Sequence, residues 1–241
     1  MEEFVQKRDN LHIAGVGKTE GGVYAKVQLD GMGTVGGSLD CDDFIGNGSV
    51  SVKGALTAKK VRINGTGSVD GPMDALDVNV GGSAKIKSDV RARKMTVSGR
   101  CHIYGKLTSK KIELSGSLKA ENIQTENIEV KGGFHVEDVL QADTMEIKLY
   151  DRCEAREIYG NYITVRKKGK HIWEKLSFSF RPSRLYVRFM EGNRVEVEHT
   201  EADIIRGNRI ILGPGCNVRL VEYREELIQD PSAEVGEVRL I

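Results

Sequence analysis

A chain of 241 residues with 36 Lys and Arg against 35 Asp and Glu carries a formal net charge of +1, which exerts no global pull toward nucleic acid. Its 28 glycines are roughly twice the average share of about 7%, prolines number only 4 and aromatics 6%, a composition suited to many tight corners around a narrow aliphatic interior. No apolar run approaches the roughly 20 residues a membrane-spanning helix needs, and the four cysteines form no CxxC pair, which argues against transmembrane, disulfide-framework and zinc-ribbon classes.

Residues 1–10 read as a short polar leader without an apolar targeting segment, so a cytoplasmic address is the default expectation. Residues 11–165 carry a recurring apolar-x-apolar-x-Gly register. Its anchors are Leu11, Val27, Phe44, Val61, Val78, Met95, Ile112, Ile128, Met145 and Ile163, so the pattern returns about once every seventeen positions. The clearest coil is Val61-Arg62-Ile63-Asn64-Gly65 followed by Gly67, Val69, Gly71, Met73 and Ala75, in which alternate residues are small or apolar. Strand side chains point alternately to opposite faces, so this alternation buries one face of each short segment. Glycines between the segments supply corners. Runs of about five residues cannot bury a core alone, so each coil must stack on the next, giving an all-β solenoid of about nine coils. A deletion in the coil from Ile112 and an insertion near Glu157 to Tyr162 are expected to fall in corners.

The texture changes at residues 166–190, an aromatic-basic interruption or cap. Counted from Ile163 to Met190, eight bases face one acid, Glu174, and Trp173, Phe178, Phe180, Tyr186 and Phe189 are interleaved. Trp173, Phe178, Phe180, Arg181, Arg184, Tyr186 and Arg188 are the candidates for docking a membrane surface or a partner. The competing reading is that these aromatics plug the end of the apolar column. Residues 191–241 reverse the balance, with 11 acids against 6 bases, and the repeat resumes from Val195 through Ile211 to Leu227 as C-terminal β coils or a cap.

Motifs that carry chemistry are few. Gly15-Val16-Gly17-Lys18-Thr19 resembles the end of a phosphate-binding loop, but His12 stands where a further Gly is needed, and Glu20-Gly21-Gly22-Val23-Tyr24 reads as corner and strand rather than helix. Cys41, Cys101 and Cys153 fall at inward small-residue positions, so they and Cys216 are expected as buried thiols. His12, His102, His135, His171 and His199 are spread singly, as solvated imidazoles rather than metal ligands. Lys59-Lys60, Arg93-Lys94 and Lys110-Lys111 share one column with Asp42-Asp43 and Glu126-Asn127, which reads as a mixed solvated edge; the sharper alternative is a ridge for anionic lipid or cell-wall polymer. No catalytic residue, cofactor or metal site is expected.

The repeated coils Val61-Arg62-Ile63-Asn64-Gly65 and Val69-Asp70-Gly71, with the turn Ile128-Glu129-Val130-Lys131-Gly132-Gly133-Phe134, make residues 11–165 similar to the bactofilins, bacterial polymer-forming cytoskeletal proteins. The resemblance implies a right-handed, three-sided β-helix that polymerises end to end without nucleotide and serves cell shape, cell-wall remodelling or motility, often at the membrane. Phe134 matches the family's polymerisation phenylalanine, although here further coils follow it. Leu11, Ile13, Phe134, Leu227, Val235 and Leu240 are accordingly the candidates for polymerisation or capping, and the expected partners are the chain itself, with a membrane surface or cell-wall and motility proteins beside it and no nucleic acid.

Two other classes compete with a cytoskeletal scaffold. Hexapeptide acyltransferases use 18-residue coils with an aliphatic residue every six and a catalytic His, whereas this register is 17 with alternating apolar residues. A membrane- or partner-binding module would use residues 163–190.

Overall fold

The computed structural model describes residues 8–167 and 183–241, and every regular element among them is a β-strand. Trp173, Phe178, Phe180, Arg181 and His171 lie outside the described residues. The fold is a β-solenoid of parallel strands, in two compact units, Met1–Ser109 and Lys110–Ile241.

The first unit holds β1 (Asn10–Ile13), β2 (Val16–Thr19), β3 (Gly22–Leu29), β4 (Met32–Val35), β5 (Leu39–Gly46), β6 (Ser49–Val52), β7 (Leu56–Ile63), β8 (Thr66–Val69), β9 (Met73–Val80), β10 (Ser83–Ile86), β11 (Val90–Val97) and β12 (Arg100–Ile103). Here each coil is one long strand and one short strand, and like stacks on like. The long strands pair Val27 with Phe44, Phe44 with Val61, Val61 with Val78 and Val78 with Met95, so every pairing advances the chain by the same whole coil. These stacked side chains are all buried. Complete burial of one such side chain contributes about 1.5–3 kcal/mol, and it is the repetition of that contribution up the column that holds the coils together.

The corners explain the glycine count. A Cβ on Gly65 would lie 2.1 Å from the carbonyl oxygen of Gly48, and one on Gly82 would lie 2.0 Å from that of Gly65. Backbone approaches backbone so closely in this column that no side chain fits. One residue before Gly31, Gly48 and Gly65, a polar ladder fixes the same corner. Asn64 donates to Asn47 at 2.8 Å, and Asn47 donates to Asp30 at 2.7 Å.

Continuing the chain, β13 (Lys106–Leu114) leads into the second unit, with β14 (Ser117–Ala120), β15 (Asn122–Val130), β16 (Gly133–Leu149), β17 (Cys153–Lys167), β18 (Leu185–Val197), β19 (Thr200–Leu212), β20 (Asn217–Gln229) and β21 (Glu234–Leu240). From β16 to β20 strands of 13 to 17 residues run through a bend where the first unit breaks into two strands. Gly160, Gly192 and Gly207 stack in register, and a Cβ on Gly207 would lie 2.6 Å from the Gly192 carbonyl oxygen.

Two details of phase differ from the sequence expectation. Val195 pairs with Ile210, not Ile211, and Ile210 pairs with Leu227, so the middle member of this column sits one position earlier than the sequence suggests. Ile211 instead points outward beside Glu196 and Ile228. The longer coil before Ile163 gains its residues at the corner around Tyr150–Arg152, because Phe134 pairs with Cys153 while Leu140 already pairs with Ile158. Val165 pairs with Val197, so β17 and β18 are stacked neighbours despite the long interval separating them in sequence.

Candidate functional site

Parallel strands stacked at about 4.8 Å leave main-chain donors and acceptors open on the outermost coil, and in the second unit that coil is β21. Its placement over β20 is set by register: Val235 sits on Val218, Val238 on Val221 and Leu240 on Tyr223. The positions beneath, Val218 and Val221, are fully buried. Above Val221, Val238 is 46% exposed, and Leu240 over Tyr223 is 69% exposed, so the last described strand carries exposed apolar side chains.

A line of alternating charge runs up to the same strand. Glu191, Arg206, Glu222 and Arg239 occupy equivalent positions of β18, β19, β20 and β21. Arg206 reaches Glu222 at 2.7 Å and Glu191 at 3.8 Å, and Arg239 lies 3.9 Å from Glu222 and 2.7 Å from Glu237. The Glu222 hydrogen bond, followed by its charge, pushes the Arg206 guanidinium above its already high ordinary pKa. This ladder was not visible in the sequence, because its members lie about a coil apart and are paired only once the register is known.

The other expected end residues are distributed unevenly. Leu11 and Ile13 are half-buried in β1, where they pair with Val27 and Leu29. Leu227 and Val235 are half-buried and Leu240 is exposed. Phe134, by contrast, is 3% exposed and stacked between Leu118 and Cys153, so it is an interior residue of its coil.

Of the docking candidates within the described residues, Arg184 is tied to Glu201 at 3.4 Å. Tyr186 lies under the Arg152 guanidinium, 4.5 Å from its ring centroid, and Arg188 is exposed. Tyr186 and Arg188 line a shallow groove of about 430 Å³ with His135, Glu154, Arg156 and Arg219. Its charges are mixed: His135 is 3.5 Å from Glu154, and Arg156 pairs with Asp138 at 2.9 Å. A second groove of about 380 Å³ runs over the stacked glycines, beside Tyr159, Asn193, Asn208 and Arg224.

The paired bases do not form a cationic ridge. Lys59 meets Asp42 at 2.9 Å, Arg93 meets Asp77 at 3.0 Å, and Lys110 meets Glu126 at 3.3 Å, each on a neighbouring coil. Val16–Thr19 of the phosphate-loop-like stretch is strand β2, paired with β4, with no helix N-terminus to face an anion. All four cysteines are buried and free. Burial pushes the Cys41, Cys101 and Cys153 thiols up to about 12. Among the described residues no cluster of three or more His, Cys, Asp or Glu could hold a metal ion, and no helix is long and apolar enough to cross a membrane.

Against curated proteins, the chain is 48% identical over 229 residues to the uncharacterized protein YhbE of Bacillus subtilis (strain 168), covering 94% of this chain and 96% of that one. The chain belongs to the YhbE family. Similarity to YhbE therefore extends beyond either solenoid unit taken singly. The chain is also 36% identical over 95 residues to the uncharacterized protein YhbF of the same organism, a match spanning only 38% of each. No family model matches the chain, and no solved structure matches it.

Proposed function

We propose that this member of the YhbE family is a non-enzymatic cytoplasmic scaffold of the bactofilin type, self-assembling through the ends of its solenoid without nucleotide. The observation that carries this reading is β21, whose second edge has no partner among the described strands and which, with the residue after it, exposes Val238, Leu240 and Ile241. An open edge of this kind pairs with another chain unless it is blunted. When such a contact does not close on itself, it propagates into a filament.

Further support comes from the repeat of the parallel strands in the first unit, shorter than the 18-residue acyltransferase coil, and from the coil sequences that resemble bactofilins. The placement of Gly15 to Thr19 in a turn and strand fits assembly that needs no nucleotide. The principal partner in this reading is a second copy of the chain; cell-wall or motility proteins, or a membrane surface, are the structures it would organise. Electron microscopy of the purified full chain without nucleotide tests it. Filaments or higher oligomers that grow with concentration are expected, and a strictly monomeric species at high concentration would overturn it.

A further inference from the structure

β21 is the least seated strand of the second unit. Its burial contrasts with that of β20 beneath it: six of its seven residues are exposed, whereas Val218, Leu220, Val221 and Glu222 of β20 are buried. Its seven residues pair in parallel with Asn217–Tyr223 only, and among the described strands of its unit nothing pairs with its other edge. Few side chains hold it down. Arg239 contributes a long 3.9 Å approach to Glu222, and Asn217 donates to Glu234 at 3.3 Å.

The connection leading into β21 is a self-contained turn. Ser232 donates from both its backbone N–H and its hydroxyl to Asp230, at 2.9 and 2.6 Å, and Ala233 donates to the Asp230 carbonyl at 2.9 Å. Pro231 fixes the backbone between them. None of these bonds requires β21 to stay on β20, so the turn can persist while the strand leaves. Segments with few buried apolar contacts and exposed hydrogen bonds open at the lowest free energy in a fold.

What lies underneath is a better platform for stacking than β21 itself. β20 offers an edge from Asn217 to Tyr223, inward Val218 and Val221 continuous with the buried column, and the Glu222 carboxylate, which stays held by Arg206 at 2.7 Å when the more distant Arg239 leaves. We infer that β21 is a releasable cover, and that its departure from β20 gates the stacking of a second copy of this chain onto the Asn217–Tyr223 edge. This inference rests on the scaffold reading but moves its contact from the exposed edge of β21 to the β20 edge beneath it, with β21 as the cover. The second copy is the fitting occupant because the vacated edge presents the same parallel register and apolar column that the chain already stacks on itself coil after coil.

The test is a reversible lock in the full chain. Val218 and Val235 are in-register partners on adjacent parallel strands, about 4.8 Å apart and within reach of a disulfide, so V218C/V235C pins β21 when oxidised. The reduced form of the same polypeptide is its own control for folding. Light scattering against protein concentration should show the oxidised form assembling only at a concentration at least tenfold higher than the reduced form, with recovery on adding a reductant. R239A, which loosens the cover, should assemble at a severalfold lower concentration than the parent chain, while R209A, which removes an exposed ion pair with Glu225 away from the cover, should not change it. If the parent chain assembles and oxidation of V218C/V235C makes no difference, the cover is wrong and the scaffold reading stands. If the parent, R239A and the reduced form all stay monomeric, both fall.

Discussion

The Glu222 carboxylate lies 2.7 Å from the Arg206 guanidinium of the preceding coil and is only 11% exposed, which makes this pair the most enclosed link in the charge ladder of the C-terminal coils. Removing one partner of an enclosed pair leaves the other poorly solvated, and that loss exceeds the net worth of the pair itself. Arg206→Ala should therefore lower the stability of the full chain by about 1–3 kcal/mol in chemical denaturation. Arg209→Ala, whose pair with Glu225 is exposed on both sides, should change it by less than about 1 kcal/mol.

The glycine column predicts a sharp positional contrast. Gly65→Ala places a methyl group 2.1 Å from a backbone oxygen that cannot retreat without moving its coil, whereas at Gly81 the nearest heavy atom is the Asn64 side-chain oxygen at 3.5 Å. Thermal melts should show Gly65→Ala destabilised by about 1–3 kcal/mol and Gly81→Ala close to the parent. Equal effects at the two positions would contradict the close approach.

Asp30 gives the N-terminal coils a defined acid response. Hydrogen bonds from Asn47 first, then His12 and Gln28, hold its carboxyl at a pKa of about 2, below the ordinary value near 4. A depressed carboxyl contributes stability above its unfolded pKa and loses it as pH falls through the folded one. The melting temperature of the parent should therefore fall more steeply between about pH 4 and pH 2 than that of Asp30→Asn, with the two curves running parallel at neutral pH.

The thiols respond at the other end of the scale. With burial holding Cys41, Cys101 and Cys153 at about 12 and raising Cys216 as well, the folded chain should resist a thiolate-selective reagent at pH 8, and all four thiols should titrate after denaturation. A raised thiol pKa favours the folded state below the unfolded value near 8.5, and that advantage is lost as pH rises toward 12. Fast labelling of any of the four in the native chain would contradict the inward placement.

Phe134 separates an interior role from a contact role. Because it is buried between Leu118 and Cys153, Phe134→Ala should lower stability by about 3–5 kcal/mol, visible in a melt under dilute, monomeric conditions. A variant that assembles poorly while melting like the parent would place this side chain at an interface instead.

How much of this was legible beforehand depended on whether a feature repeats. The solenoid was legible because Val61, Val78 and Met95 return at one fixed interval with small or apolar neighbours at alternate positions, and only stacking can bury such short runs. Phase failed at Ile210-Ile211-Leu212, where three consecutive aliphatics satisfy either register and only pairing with Val195 decides between them. The mixed edge was readable from the charges, but not that Asp42 takes Lys59 or that Asp77 takes Arg93. The ladder through Glu222 and the exposure of Val238 depend on which strand ends the stack, which no local pattern encodes.

Sedimentation of the full chain over a wide concentration range, with and without added nucleotide, tests self-assembly without nucleotide. The mass should climb well beyond that of a dimer as concentration rises, unchanged by nucleotide. A species that stays at the 26.6 kDa of the single chain at every concentration would contradict it.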